Sequence, residues 1–388
     1  MNWKQTTLGE IAEIVSGATP KSDVPVYWDG AISWATPTDL SGLSCKHINK
    51  TGRTISDAGL NACSARILPP QSVLFSSRAP IGLVAINTTP MATNQGFKSF
   101  VPKPELNADF LFWWLKSNRK QLADLGNGAT FKEVSKAVVS RVPFALPPVD
   151  EQRRISAILD KADDIRRKRE GTLRLADDLL KSMFLDVFGD PNTNNGRYPT
   201  APMKLLGRVV TGNTPPREDT RNYGDFIEWI KSDNINTPDH YITEAVERLS
   251  EMGARRARTV PAGATLVTCI AGSPDCIGNA ALTDREVAFN QQINAVVPFE
   301  HTDPHFLYAQ IIVAKPLIQR ASTNSMKGMI SKGRFEEIEL LNPPSDLQRS
   351  FGKSFRKVLG LVARVKQAYR ESETQMASLS QRAFRGEL

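Results

Sequence analysis

The sequence predicts an α+β protein: two tandem globular domains joined by two long helices that pair with each other as an antiparallel coiled coil, related by duplication. Three observations carry that prediction. "LPPVDEQRRI" at 146–155 is echoed by "LNPPSDLQRSF" at 341–351, so that Pro147, Pro148, Gln152 and Arg153 recur as Pro343, Pro344, Gln348 and Arg349 at an offset of 196. Other residues recur in the same order at the same offset. Behind each proline pair runs a long segment with apolar residues three and four apart, while the stretches before the prolines mix short strand-like runs with brief helical ones.

The duplication is read residue by residue. At the offset of 196, Tyr27 meets Tyr223, Gly82 meets Gly278, Asn94 and Gln95 meet Asn290 and Gln291, and Phe110 and Leu111 meet Phe306 and Leu307. Near the amino ends the offset is 195, pairing Gly17, Thr19, Pro20, Ile32 and Trp34 with Gly212, Thr214, Pro215, Ile227 and Trp229. So long a period excludes a solenoid, whose units are about 20 to 50 residues. The expected organisation is domain 1–149, helix 150–190, domain 191–345 and helix 346–388.

Within a domain, "LGEIAEIVSGATP" sets Leu8, Ile11, Ile14 and Val15 on one helical face and stops at Gly17 and Pro20, which predicts a short amphipathic helix. "SVLFSS" and "GATLVTCI" read as buried strands, and "NADFLFWWLKSN" as a packed helix capped by Asn107. In the first trailing helix the predicted seam is Ile158, Ala162, Ile165, Thr172, Ala176, Leu179 and Met183, with Arg169 interrupting. In the second it is Phe351, Phe355, Val358, Val362, Val365, Tyr369, Met376, Leu379 and Ala383, with Ser372 interrupting. Proline restrains its own φ and pushes the preceding residue out of the helical region, so each proline pair is a stiff joint, with Asp150 and Asp346 expected as N-caps.

Bulk composition sets the function classes. The 388 residues are 40% hydrophobic and 23% charged with a formal net charge of +8, which suits a polyanionic partner. No apolar run approaches the roughly 18 to 20 residues of a membrane span, and the opening "MNWKQTTLGEIAE" lacks the apolar stretch of a signal peptide; a cytoplasmic protein without membrane contact is expected. The four cysteines, Cys45, Cys63, Cys269 and Cys276, show no metal-type or disulfide-type spacing and are expected to be reduced. His301 and His305 are four apart, but Pro304 separates them, so no metal site is assigned.

Enzyme motifs fail on inspection. "NPPS" at 342–345 approaches an adenine-methyltransferase motif but has Ser345 where an aromatic must stack on the flipped base. "GKS" at 352–354 lacks the leading glycine of a phosphate-binding loop, Leu347 standing in its place. The chain is therefore expected to be no enzyme and to bind no cofactor itself. What exposed loops do carry is nucleic-acid chemistry: amides and guanidiniums for base edges, and Lys and Arg for phosphates. The candidates are Lys21, Arg78, Asn94, Gln95, Lys98, Thr130 and Lys132 in the first domain; in the second they are Arg217, Arg221, Ser273, Asn290, Gln291, Gln292, Lys327, Lys332 and Arg334. Because Asn94, Gln95, Asn290 and Gln291 recur in both copies, as a shared structural feature would, a structural hydrogen-bonding role competes with base reading for them. Trp34 and Trp229 read as core anchors, and the basic cluster at 166–170 as a solvated helix face.

Two domains each opened by a "LGEIAEIVSGATP"-like run with a Tyr and Trp behind it, and closed by "LPPxxEQRRI" ahead of a long helix, resemble the specificity (S) subunit of type I restriction-modification systems. The second copy departs at Asn342 and Leu347. The resemblance implies that each domain is a target recognition domain reading half of a split double-stranded DNA site. It implies too that the helices space the half-sites and dock two methyltransferase subunits, with or without restriction subunits. S-adenosylmethionine, ATP and Mg would then belong to those partners. A scaffold whose paired domains bind protein is the alternative.

Overall fold

The computed structural model describes residues 3–78, 80–127, 132–193, 196–323 and 328–388. It resolves into two compact units, residues 1–168 with 369–388 and residues 169–368. The unit boundaries thus fall inside the long helices, and each unit takes part of both.

In the first unit a five-stranded sheet runs in the order Ala12–Ser16, Lys98–Pro102, Val73–Phe75, Val84–Asn87, His47–Ile48. A three-stranded sheet sets Trp28–Ala35 between Thr54–Ile55 and Ala92–Thr93, and Lys4–Thr7 pairs with Pro143–Leu146. The second unit repeats the plan. Gly207–Thr211, Ile293–Pro298, Thr265–Thr268 and Ala280–Leu282 form one sheet, and Tyr223–Ile230 lies between Arg248–Leu249 and Val287–Phe289 in another. Even the irregularity is duplicated, with a break of register between Trp28 and Ile32 in one copy and between Tyr223 and Ile227 in the other. Gly82 and Gly278 hold φ of 90° and 81°, left-handed values that a side chain would strain.

The predicted helix at "LGEIAEIVSG" is a single turn, Leu8–Ile11, followed at once by the strand Ala12–Ser16. The capping box of Thr7 and Glu10 starts the turn, with the Glu10 carboxylate accepting from Thr7 N–H at 2.9 Å. Pairing of Ala12–Ser16 with Lys98–Pro102 then overrides the helical spacing, since alternation buries Ile14 and exposes Glu13. The other readings stand: Val73–Phe75 and Thr265–Thr268 are fully buried strands, and Ala108–Ser117 is a helix whose first turn is capped by the Asn107 side chain, accepting from Phe110 N–H at 2.9 Å. Its counterpart Pro304–Val313 begins with proline and is capped by Asp303.

The long helices are Val149–Phe188 and Ser345–Arg385, of 40 and 41 residues. Asp150 and Asp346 lie in their first turns instead of capping them, where their charge still favours the positive end of the helix dipole. In the first unit Ile155 and Leu159 enter a core shared with Phe110, Trp113 and Ala383, and the Arg154 guanidinium donates to the Leu388 carbonyl at 2.7 Å. The start of one helix therefore lies against the end of the other. In the second unit Leu180, Phe184 and Phe188 pack on Phe306, Phe351 and Phe355, so the end of the first helix meets the start of the second. Both units show antiparallel pairing.

The seam of the second helix is placed as its spacing predicts, with Phe351, Phe355, Val362 and Ala383 buried. The first helix corrects its prediction. Ile165 and Leu179 are 42% and 49% exposed, Thr172 is exposed, and the buried apolar residues are Ile155, Leu159, Leu180, Phe184 and Phe188. The reason is geometric: this helix must cover the helix Ala108–Ser117 in one unit and Pro304–Val313 in the other as well as its long partner, so its apolar face is turned from a pure two-helix seam. No helix of the described residues is long and apolar enough to cross a membrane.

Candidate nucleic-acid interface

Each unit builds the same small assembly at the end of one strand, Ala12–Ser16 in the first and Gly207–Thr211 in the second. Residue 17 or 212 must be glycine because a Cβ there would overlap the carbonyl of Asn94 or Asn290 on the facing turn. That turn is closed by its own asparagine. Asn94 Oδ1 accepts Gly96 N–H at 2.9 Å, and Asn290 Oδ1 accepts Gln292 N–H at 3.1 Å. The next residue reaches across to the glycine loop, where the hydroxyl of Thr19 donates to Gln95 and that of Thr214 to Gln291.

Behind the loop sits an aromatic pair. Trp34 Nε1 donates to the Ala18 carbonyl at 3.0 Å and Trp28 Nε1 to the Lys21 carbonyl at 3.1 Å, while the two rings meet edge to face at 5.1 Å. In the second unit Trp229 Nε1 donates to the Asn213 carbonyl at 3.2 Å, and the Tyr223 hydroxyl to the Pro215 carbonyl at 2.9 Å. Trp34 and Trp229 are 3% and 2% exposed, so they anchor the loops and offer no face for a base.

The structure sorts the candidate residues. Lys21, Asn94 and Gln95 come together on this assembly in the first unit, as do Arg217, Asn290, Gln291 and Gln292 in the second. Lys21, Gln95, Arg217 and Gln291 are exposed, whereas Asn290 is buried and both asparagine amides serve the turns. Gln292 Oε1 also accepts from Ser232 and Asn290, at 3.3 and 3.2 Å. Lys98 departs from expectation: it lies on the strand Lys98–Pro102, 7% exposed, with Nζ 3.1 Å from Glu133. Burial and pairing remove it from the exposed donors. Arg78, half-buried, bridges to Glu133 through the backbone, and Lys132 beside it is exposed.

Arg221 is exposed and ion-paired with Asp219 at 2.8 Å; it is the main cause that holds the Asp219 carboxyl down to about 2. Ser273 is exposed, and Lys332 and Arg334 are exposed on the short helix Lys332–Glu336, whose Phe335 is buried, Lys332 pairing with Glu336 at 3.3 Å. The strands Ile270–Ala271 and Gly328–Met329 pair antiparallel, which sends Ser273 and Lys332 to opposite ends of that ladder. Thr130 and Lys327 lie outside the described residues.

Three features escaped the sequence. Arg53 stacks its guanidinium 3.8 Å above the Trp28 ring and 5.7 Å from that of Trp34. In the second unit Arg217 lies 5.2 and 5.1 Å over Tyr223 and Trp229, and Arg217 and Lys231 both pair with Glu247. The basic cluster at 166–170 is not a solvated face either. Arg166 Nε lies 3.0 Å and Arg167 Nε 3.1 Å from the buried Asp163, Arg167 donates to the Ser44 carbonyl at 2.9 Å, and Arg169 donates to the Ala368 carbonyl at 2.6 Å. Among the described residues no three His, Cys, Asp or Glu side chains gather as metal ligands.

Comparison with known proteins adds a family to this geometry. The model of the type I restriction modification DNA specificity domain matches residues 1–173 and again 204–365. The chain is 33% identical over 191 residues to the type I restriction enzyme MjaIX specificity subunit of Methanocaldococcus jannaschii, covering 48% of this chain and 44% of that one. It is 28% identical over 153 residues to the HindI specificity subunit of Haemophilus influenzae, covering 38% and 32%. These matches thus span less than half of each curated relative. Across whole chains the fold is similar to the type I restriction-modification S subunit from M. genitalium, at a TM-score of 0.61 with 14% identity over 99% of this chain and 96% of that one. It is also similar to a chain from a structure described as the basis of complex assembly and conformational transition of the type I R-M system, at a TM-score of 0.58 with 16% identity over 100% and 98%.

Proposed function

The chain belongs to the family of type I restriction modification DNA specificity domains, and on that premise we propose that it is the DNA-recognition subunit of a methyltransferase complex, with each unit reading one half of a bipartite double-stranded site. The observation that carries this reading is the duplicated loop assembly. Two copies of one scaffold each present a glycine loop and an Asn-Gln turn, but with a different exposed cation on them, Lys21 in one and Arg217 in the other. Identical scaffolds with divergent rims suit two half-sites of different sequence. The net charge of +8 supplies the attraction to phosphate.

The paired helices serve as the spacer between half-sites and as the docking platform for two methyltransferase subunits. S-adenosylmethionine chemistry belongs to those subunits, and ATP-driven cleavage to restriction subunits where these join. The chain itself turns over none of these compounds.

Exchange of residues 1–145 for the first domain of another family member tests the reading. In a complex with methyltransferase subunits, mapping of methylated adenines should show one half of the motif replaced and the other unchanged. A change in both halves refutes independent reading. DNA binding that is indifferent to salt refutes the phosphate contacts and favours a protein-binding scaffold.

A further inference from the structure

Arg53 and Glu247 occupy the same place in the two units. Trp34 N–H donates to the Arg53 carbonyl at 3.2 Å, and Trp229 N–H to the Glu247 carbonyl at 3.1 Å. The residue after each pairs with the same position of the central strand, Thr54 with Ser33 and Arg248 with Glu228. The scaffold is therefore common while the side chain is reversed in charge.

The consequences differ on the two sides. Glu247 is neutralised within its own unit, with Arg217 Nη1 at 2.6 Å and Lys231 also paired to it, so the cations over Tyr223 and Trp229 are tied down. Arg53 has no such partner. Its guanidinium is exposed, and no hydrogen bond or ion pair joins it to any described residue. It is nevertheless held in place, 3.8 Å above the Trp28 ring, whose own Nε1 is fixed to the Lys21 carbonyl. A planar fork with its donors unspent, immobilised by stacking beside the Lys21 loop, has little rotamer entropy left to lose on binding.

We propose that Arg53 is a specificity-determining residue of the first unit, reading a guanine edge through paired donors to O6 and N7, and that the matching position in the second unit, Glu247, abolishes this contact there. The inference rests on the DNA-recognition reading above and names one of its contacts. Bidentate guanidinium to guanine is the pairing such geometry fits, and a lysine cannot reproduce it.

The test uses the full chain co-expressed with its methyltransferase subunits, mapping methylated adenines genome-wide and measuring binding to duplexes that carry each single base change. Wild type must first methylate a bipartite motif; if it does not, the recognition reading fails and Arg53 is not at issue. Given that motif, R53A should lose discrimination by about tenfold or more at one G·C pair of one half-site, leaving the other half-site unchanged. R53K should fail to restore it. If instead R53A weakens all duplexes equally, with a shallower salt dependence that R53K repairs, Arg53 is a phosphate contact and the proposal is overturned. Unchanged discrimination overturns it as well. An unaltered melting temperature of the R53A and R53K variants separates these outcomes from misfolding, and E247R gives the converse, a new preference in the second half-site only.

Discussion

The side-chain oxygen of Gln152 accepts the backbone N–H of Asn107 at 2.8 Å, joining the first turn of a long helix to the cap of the globular helix Ala108–Ser117. Its amide donates to the carbonyls of Glu105 and Pro147 at 2.9 and 2.8 Å. Gln348 repeats the device, accepting from Asp303 N–H at 3.2 Å and donating to the Pro343 carbonyl at 2.8 Å. The side chain of each glutamine is thus the third element of the proline joint: the prolines stop the strand, and the glutamine bolts the helix to its domain. Gln152→Leu strands several buried polar groups and should cost about 2 to 4 kcal/mol, read as a lower midpoint in urea. A loss below about 0.5 kcal/mol would show that the joint is held by the prolines alone.

Acid should loosen the second unit at Glu228. The Arg285 guanidinium, and then the Ala245 N–H at 2.8 Å, hold this buried carboxyl below the usual carboxylate range. The unfolded chain therefore takes up the proton first. The stabilisation is complete above the unfolded pKa and is lost as pH falls through the lower folded value. Arg285 is 35% exposed, so screening limits the contribution to about 1 to 2 kcal/mol. Glu228→Gln should lower stability at pH 7 by that amount and flatten the acid limb of the stability curve. An acid limb as steep as wild type would place the responsible carboxylate elsewhere.

Duplication was legible because identity at a fixed offset marks what both copies need: the proline joint, the glycine loop and its tryptophan. Arg53 left no such mark, since its counterpart is Glu247 and recurrence marks only the positions that both copies share. Leu8 and Ile11 keep their helical spacing in one turn, but the adjacent Ile14 and Val15 are both buried, in different cores on opposite faces of a strand, and the partner Lys98–Pro102 that fixes this is remote in sequence. The first long helix misled in another way. A seam read from one helix assumes one partner, and Phe184 and Phe188 answer to the helix Pro304–Val313 as well.

Thiol reactivity should follow burial. Cys45 is exposed, Cys63 and Cys276 are half-buried, and burial pushes the Cys269 thiol up to about 12. At pH 8 Cys269 is therefore held as the thiol and not as the thiolate, the reactive form. Iodoacetamide followed by peptide mass spectrometry should label Cys45 first and Cys269 only on unfolding. Early labelling of Cys269 in the native chain would contradict its place in the core.

The proposed spacer role of the helices is testable by length. Seven residues extend a helix by about 10 Å, near 3 base pairs of DNA, and removal of one heptad from each helix keeps their apolar faces aligned. The place to cut is beside Arg169 and Ala368, whose hydrogen bond marks facing positions of the two helices and lies away from the aromatic cluster of Phe184, Phe188 and Phe351. The shortened chain, with its methyltransferase subunits, should methylate unchanged half-sites across a shorter gap, or lose activity where the helical phase of the DNA no longer suits both units. Removal of four residues instead would rotate Leu180, Phe184 and Phe188 relative to the rest of their helix and should lower stability. A stably folded heptad deletion that methylates the original motif with its original gap would show that the helices do not set the spacing.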